Sequence, residues 1–328
     1  MSRKSPTRNP ALAKSPVIAE LTKASASETA ARAFIEKWRW NGEPWCPHCG
    51  DTDTYRMTGK TAEKRGLHRC HGCKRQFTVK VGTIFEDSAL PLHKWCRAIW
   101  EASKAKNGVS ALELARTLQI THKSALFMLN RLRWAMAQGS PDGPRGKLTG
   151  DVECDETYVG GRPRGRTKAK RGRGTKKQPV AACVQRGGNV RTEVIACVNS
   201  HNVRSHVLDS VCPTARLHTD MESSYRGLGA AFEGGHHTVN HGAGEYVRYE
   251  GDGFVTTNTA EAFFSRVKRS LNGTYHAVSR EHLHRYMSQF EFAHNTRKMN
   301  DGDRAVLLLR MGKGQRLTYR ESTEGQAA

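Results

Sequence analysis

Val152-Glu153-Cys154-Asp155-Glu156-Thr157-Tyr158-Val159 is followed directly by Gly160-Gly161. Its alternation has the two-residue period of a β-strand, which places Glu153, Asp155 and Thr157 on one face. From about Leu148 to Arg310, strand-like and helix-like runs alternate, the pattern of an α/β domain. Ala215-Arg216-Leu217-His218-Thr219-Asp220 reads as a short strand with Asp220 at its C-terminal end, where ligands gather in such domains. Asn258-Thr259-Ala260-Glu261 opens a helix that continues through Phe263, Phe264, Val267 and Leu271, with Thr257 or Asn258 as its natural N-cap. Glu261, Ser265 and Lys268 line one face of that helix at i, i+4 and i+7, and the apolar residues pack away from them.

Upstream, Gly139-Ser140-Pro141-Asp142-Gly143-Pro144 marks a linker. The stretch before it, from about Leu90 to Gln138, is helical in pattern. Within it Ser110 caps one amphipathic helix ending at Leu118, Gln119-Ile120 makes a turn, and Thr121 caps a second helix running to about Met136. Leu112, Leu114 and Leu118 with Ala125, Met128, Leu129 and Leu132 would form the small core of a helix-turn-helix. His122, Lys123 and Ser124 then stand where a recognition helix meets base edges, and Arg131 and Arg133 lie further along for phosphates. An ordinary helical hairpin joining two domains would show the same pattern.

Cys46-Pro47-His48-Cys49 and Cys70-His71-Gly72-Cys73 form two C-x2-C knuckles separated by twenty residues. Four thiolates at this spacing make a closed tetrahedral zinc site, structural because no position remains for substrate. Gly50 and Gly72 permit the tight knuckles, and Tyr55, His68 and Phe77 fall on the intervening strands. With Cys46, Cys49, Cys70 and Cys73 filling the shell, His48, His68 and His71 are bystanders. The other five cysteines, Cys96, Cys154, Cys183, Cys197 and Cys212, lie in apolar runs and read as core.

Lys and Arg total 53 against 31 Asp and Glu, a formal charge of +22, which implies a polyanionic partner such as nucleic acid. Arg162 to Lys177 concentrates nine basic residues without an acid, spaced by Gly, Pro and Thr. Such a block repels itself and cannot bury a core. Arg164, Arg166, Lys170, Arg171 and Arg173 in it are candidates for DNA backbone contact, against a simple solvated loop. No apolar run is long enough to span a bilayer, the mean hydropathy is −0.66, and the first thirty or so residues lack a secretory h-region. Nine cysteines, an odd number, suit a reducing compartment, so a cytoplasmic, nucleoid-associated protein is expected.

No spacing rule selects three catalytic acids from the 31 present. DETYVGG at 155–161, HTD at 218–220 and NTAEAFFSRVKR at 258–269, however, resemble the insertion-sequence transposases of the DDE superfamily, in particular their zinc-ribbon ISXO-like group. CPHCG, CHGCKRQFTVKVGTIFEDS and GTYHAVSREHLHRYMSQFEFAHNTRK are similar to the same group, so the resemblance runs in order over roughly residues 30 to 300. It implies an RNase H-like catalytic domain, a mixed sheet flanked by helices, with Asp155, Asp220 and Glu261 holding two Mg²⁺ or Mn²⁺ ions. It also implies that Lys268 contacts DNA near the scissile phosphate. Asn258, one helical turn before Glu261, is the other candidate for the third metal position. A carboxylate adds charge that an amide cannot, which favours Glu261.

The chain is thus expected to be multidomain: a flexible basic arm (1–33), a small β zinc ribbon (34–88) and an all-α helix-turn-helix region (89–138). A linker (139–147) leads to the α/β RNase H-like domain (148–310, with a basic insert at 162–179) and a tail (311–328). The implied function is binding of terminal inverted repeats and two-metal cleavage and strand transfer into target DNA, by an oligomer that is at least a dimer on double-stranded DNA. Two other readings stay in view. One is a non-enzymatic zinc-ribbon/helix-turn-helix regulator, which loss of a triad acid would favour, although all three are present. The other is a nuclease without strand transfer.

Overall fold

The computed structural model describes residues 15–139, 146–160, 177–251, 253–314 and 318. It divides into two compact units, the first built from residues 1–143 and 296–324 and the second essentially from residues 144–295.

The first unit opens with α1 (Pro16–Ala26) and α2 (Glu28–Trp40). The sequence reading placed residues 1–33 in a flexible arm, and the structure corrects this from Pro16 onward. Val17, Leu21 and Ala24 on α1, and Ala31, Phe34 and Ile35 on α2, recur at helical spacing and are buried. The basic residues between them had masked that stripe. Residues 1–14 lie outside the described residues.

Next comes a three-stranded antiparallel sheet of β1 (Thr54–Arg56), β2 (His68–Cys70) and β3 (Gln76–Phe77), with α3 (Lys60–Arg65) between β1 and β2. Tyr55, His68 and Phe77 fall on its strands as expected. The chain continues into α4 (Leu92–Lys104), α5 (Ala111–Leu118) and α6 (His122–Ala137). Both caps are formed: Ser110 Oγ accepts from Glu113 N, and Thr121 Oγ1 accepts from Ser124 N. Gln119 takes the left-handed conformation between the two helices, which makes the turn. Leu114, Leu118, Ala125, Met128, Leu129 and Leu132 are buried as anticipated, but Leu112 is 52% exposed and belongs to the outer face of α5.

Arg131, offered by the sequence to DNA phosphates, is corrected too. It is 2% exposed, donates Nη1 to the carbonyls of Ile84 and Glu86, and lies over the Phe127 ring. Arg133 is equally buried. Both arginines serve the core: Arg131 satisfies two carbonyls that would otherwise be buried without donors. Arg131→Ala should therefore cost about 3 kcal/mol of stability. Thermal denaturation would register this, whereas DNA affinity of the folded variant should stay within about twofold.

The second unit is a mixed sheet with helices on both faces. Its strands are β4 (Asp151–Val159), β5 (Gln178–Gln185), β6 (Val190–Val194), β7 (Arg216–Asp220) and β8 (His236–Val239), in the order β6-β5-β4-β7-β8. β5 runs antiparallel to both β4 and β6, whereas β4, β7 and β8 run parallel. Alternation in β4 decides the layers. Val152 and Cys154 join Cys183 and Leu217 beneath α7 (Ser200–Ser210), which contributes Val203 and Val207. Val159 joins Val180, Ala182 and Val184 on the other face. That face is covered by α8 (Asn258–Ser270), with Phe263, Phe264 and Val267, and by α9 (Leu283–Asn295), with Met287 and Phe290. A short hairpin, β9 (Arg248–Glu250) and β10 (Gly253–Val255), precedes α8.

Cys96, Cys154 and Cys183 are buried as expected, but Cys197 is exposed and Cys212 only partly covered. After Asn295 the chain rejoins the first unit. There α10 (Asp301–Met311), which the sequence reading included in the α/β domain, packs on α1, α2, α4 and α6. Its buried Ala305, Leu308 and Leu309 supply the contact.

Candidate active site and zinc centre

In the first unit the knuckles bring four sulfurs together. The ligand atoms of Cys46, Cys49, Cys70 and Cys73 lie within 4.8 Å of one another, with Cys46–Cys73 and Cys49–Cys70 separations of 3.6 Å. A tetrahedron with Zn–S bonds of about 2.3 Å has edges near ~3.8 Å, so the donor set fits a structural Zn²⁺. Gly50, at φ +82, closes the first knuckle, and its N–H donates to Cys46 O. The Cys73 N–H points at Cys70 Sγ, 3.4 Å away, and stabilises thiolate charge. The histidines stay outside. His48 Nε2 meets Gln76 O, His71 packs on Tyr55, and buried His68 packs between Trp40 and Phe77.

The acids named from the sequence come together in the second unit. On β4 and its parallel neighbour β7, Glu153 pairs with His218. Two residues beyond that last pair, Asp155 lies mid-way along β4 and Asp220 at the C-terminal end of β7. α8 then presents Asn258 and Glu261, both exposed and one turn apart. Burial, the Glu156 charge next to it, and then the charges of Asp220 and Glu261 push the Asp155 carboxyl up to about 8. Burial raises Asp220 as well, helped by the Glu222 charge and partly offset by the Glu222 N–H that donates to its Oδ1 and by His241. Several oxygens thus share one region with too little positive charge to balance them, which is where a hard divalent cation is stabilised.

Lys268 is exposed two turns along α8 and lines a cleft with Tyr158, Lys177, Asn272 and His276. His122 and Lys123 are exposed at the start of α6, and Ser124 is partly covered. Arg164, Arg166, Lys170, Arg171 and Arg173 lie outside the described residues.

His241, which follows β8, stands with Nδ1 3.5 Å from Glu261 Oε1 and Nε2 3.3 Å from Thr257 Oγ1. Nothing in the spacing signals that proximity. His218, close to Asp220, is buried and hydrogen-bonded, its Nε2 2.8 Å from Asp151 Oδ1. Tyr246 is 58% exposed, whereas Tyr275 packs against Tyr286 and Phe290. The structure keeps the expected N-cap position of α8 but takes its cap bond from elsewhere. Thr257 occupies the N-cap position but makes no side-chain cap bond, and that place is taken by Glu153 of β4. The only hint was its phase: Glu153 shares a strand face with Asp155.

Comparison with known proteins agrees with this division. Residues 147–295 match the ISXO2-like transposase domain, a span that ends where the second unit ends, and residues 26–76 match the transposase zinc-ribbon domain. A protein of Halobacterium salinarum, described as an uncharacterized protein in transposable element ISH50, is 29% identical over 282 residues, covering 82% of this chain and 91% of its own length. Among the described residues, no helix is long and apolar enough to cross a membrane.

Proposed function

Because this chain belongs to the zinc-ribbon, ISXO-like transposases of insertion sequences, we propose that it binds the terminal inverted repeats of its own element and performs cleavage and strand transfer at the acids of β4, β7 and α8. The observation that carries the reading is that Asp155 and Asp220 each lie two residues past the last β4–β7 pair, near enough for the Asp220 and Glu261 charges to act on Asp155, with Asn258 and Glu261 one helical turn apart on α8. The sheet order, three antiparallel strands joined to a parallel trio at β4, supports an RNase H-like assignment for this unit.

A pair of Mg²⁺ or Mn²⁺ ions supplies water activation and stabilisation of the leaving oxygen when bound. Asp155 and Asp220 would hold them from β4 and β7, and Glu261 would complete the set from α8. Glu261 is preferred to Asn258 because its full charge offsets more of a divalent ion's desolvation. Lys268, a fixed cation on the same helix face, would hold the phosphate beside the scissile bond. The resulting 3′ hydroxyl attacks target DNA in line, so no protein nucleophile is needed. His122, Lys123 and Ser124 would read the element end. The basic insert would neutralise phosphates, so binding should weaken steeply with salt. Joining two ends in one event calls for at least a dimer on double-stranded DNA.

The test is a joining assay. Labelled element-end duplex, both intact and pre-cleaved, is incubated with target DNA and Mg²⁺ or Mn²⁺. Metal-dependent joined products are expected from both substrates. Cutting of intact ends without joining of pre-cleaved ones would identify a nuclease. Tight end binding without either reaction would identify a regulator.

A further inference from the structure

Glu153 is 0% exposed on the central strand, a position where an acid is costly unless its oxygens are fully engaged. They are. Thr259 N donates to Oε2 at 2.6 Å and Ala260 N at 3.1 Å, while Thr259 Oγ1 donates to Oε1 at 2.9 Å. Arg186 Nε donates to the same Oε1 at 2.7 Å. The guanidinium also donates to the carbonyls of Phe254 and Thr256, just ahead of α8, and lies over the Phe254 ring. A helix start normally takes its cap from its own N-cap residue. Here the cap comes from 106 residues earlier in the chain, and from the strand that carries Asp155.

We propose that Glu153 is a positioning residue, a buried carboxylate that ties the start of α8 to β4 and so sets the distance between Asp155 and the Asn258–Glu261 turn. Glu153 and Asp155 are two residues apart on one strand face, about 7 Å. Thr259 is two residues from Glu261, about 3 Å along the helix axis. The tie therefore spans the short path between the acids, where a small helix shift would move Glu261 directly. Arg186 neutralises the clamp and fixes the approach to the helix, so Glu153 and Arg186 act as one unit. A glutamine at 153 cannot replace it. With one oxygen and one NH2 group, it turns a donor either on the two backbone N–H groups or on Arg186.

The inference rests on the metal-binding reading of Asp155, Asp220 and Glu261, and the experiment separates the two. Zinc-loaded full-length protein is titrated with Mn²⁺ by calorimetry, and amide exchange is followed at residues 259–260, for wild type, Glu153→Gln, Thr259→Val and Asp155→Asn. Glu153→Gln should lose protection at Thr259 and Ala260 and weaken Mn²⁺ binding about 10- to 100-fold, as loss of a metal site's supporting shell does. Its turnover should fall while its affinity for end DNA holds. Thr259→Val keeps the backbone bonds and removes one hydroxyl bond, so a loss of about fivefold is expected. Wild-type Mn²⁺ affinity in Glu153→Gln despite lost protection would reduce Glu153 to a structural cap and overturn the proposal. Should Glu153→Gln fail to fold, undiminished Mn²⁺ binding by Thr259→Val overturns it equally. Unaltered binding in Asp155→Asn would instead refute the metal site itself.

Discussion

Asp155→Asn is expected to lower metal-dependent cleavage of an element end by about a thousandfold or more while leaving end binding within about twofold. Asparagine matches aspartate in shape, so any loss reports charge. The same substitution should raise the melting temperature of the protein measured without divalent ions. Burial and the neighbouring charges of Glu156, Asp220 and Glu261 all disfavour an ionised Asp155, and the amide removes that conflict. A variant that is dead yet more stable would mark residue 155 as kept for chemistry at the expense of the fold. Retained cutting, or a lower melting temperature with unchanged activity, would remove Asp155 from the site. Glu261→Ala and Asn258→Ala, assayed beside it, assign the third position: whichever loses activity with DNA binding intact is the ligand.

Removing zinc should have the largest effect on folding. The ribbon sheet has strands of only three, three and two residues, and Cys46, Cys70, His68 and Phe77 supply most of its buried positions. So small a core cannot hold the knuckles, and a structural zinc contributes about 10–16 kcal/mol of binding free energy to such modules. One zinc per chain is expected by metal analysis, and chelation or Cys70→Ser should unfold the ribbon. All six tryptophans, Trp38, Trp40, Trp45, Trp95, Trp100 and Trp134, precede residue 140, so intrinsic fluorescence reports on the first unit. Trp40 packs against His68 and Phe77 of the ribbon and should respond most. Fluorescence and thermal melts indifferent to chelation would show that the four thiols stand together without a metal.

The elements legible in the sequence share a cause: each is written in a short local pattern. The knuckles are a spacing, the caps at Ser110 and Thr121 are single residues before a periodic run, and β4 is an alternation. Asp155 on a strand face, Asp220 at a strand end and Glu261 at a helix start were individually visible, but nothing in 328 residues of composition joins them. Family resemblance supplied that grouping, and the parallel pairing of β4 with β7 then brought Asp155 and Asp220 onto neighbouring strands.

Misread features depended on partners far away in the chain. Arg131 looks like a surface cation until Ile84 and Glu86 turn their carbonyls toward it. α1 was hidden within a basic, Ser-rich start because its apolar stripe matters only when other helices cover it. α10 follows the α/β domain in sequence, yet its buried face fits the helices of the first unit. Local periodicity tells which face of a segment is apolar, but not which surface it meets.

By itself, therefore, the sequence determined the zinc ligands, the two capped helices and the strand carrying Asp155, because neighbouring residues suffice to specify a turn, a cap or a pleat. Only the tertiary structure decided that Glu153 caps α8, that His241 stands beside Glu261, and that Arg131 belongs to the core. Each of these is a contact between groups far apart in the chain, two of them from a side chain to backbone. Such contacts exist only after folding excludes water and each buried charge must find its partner inside the protein.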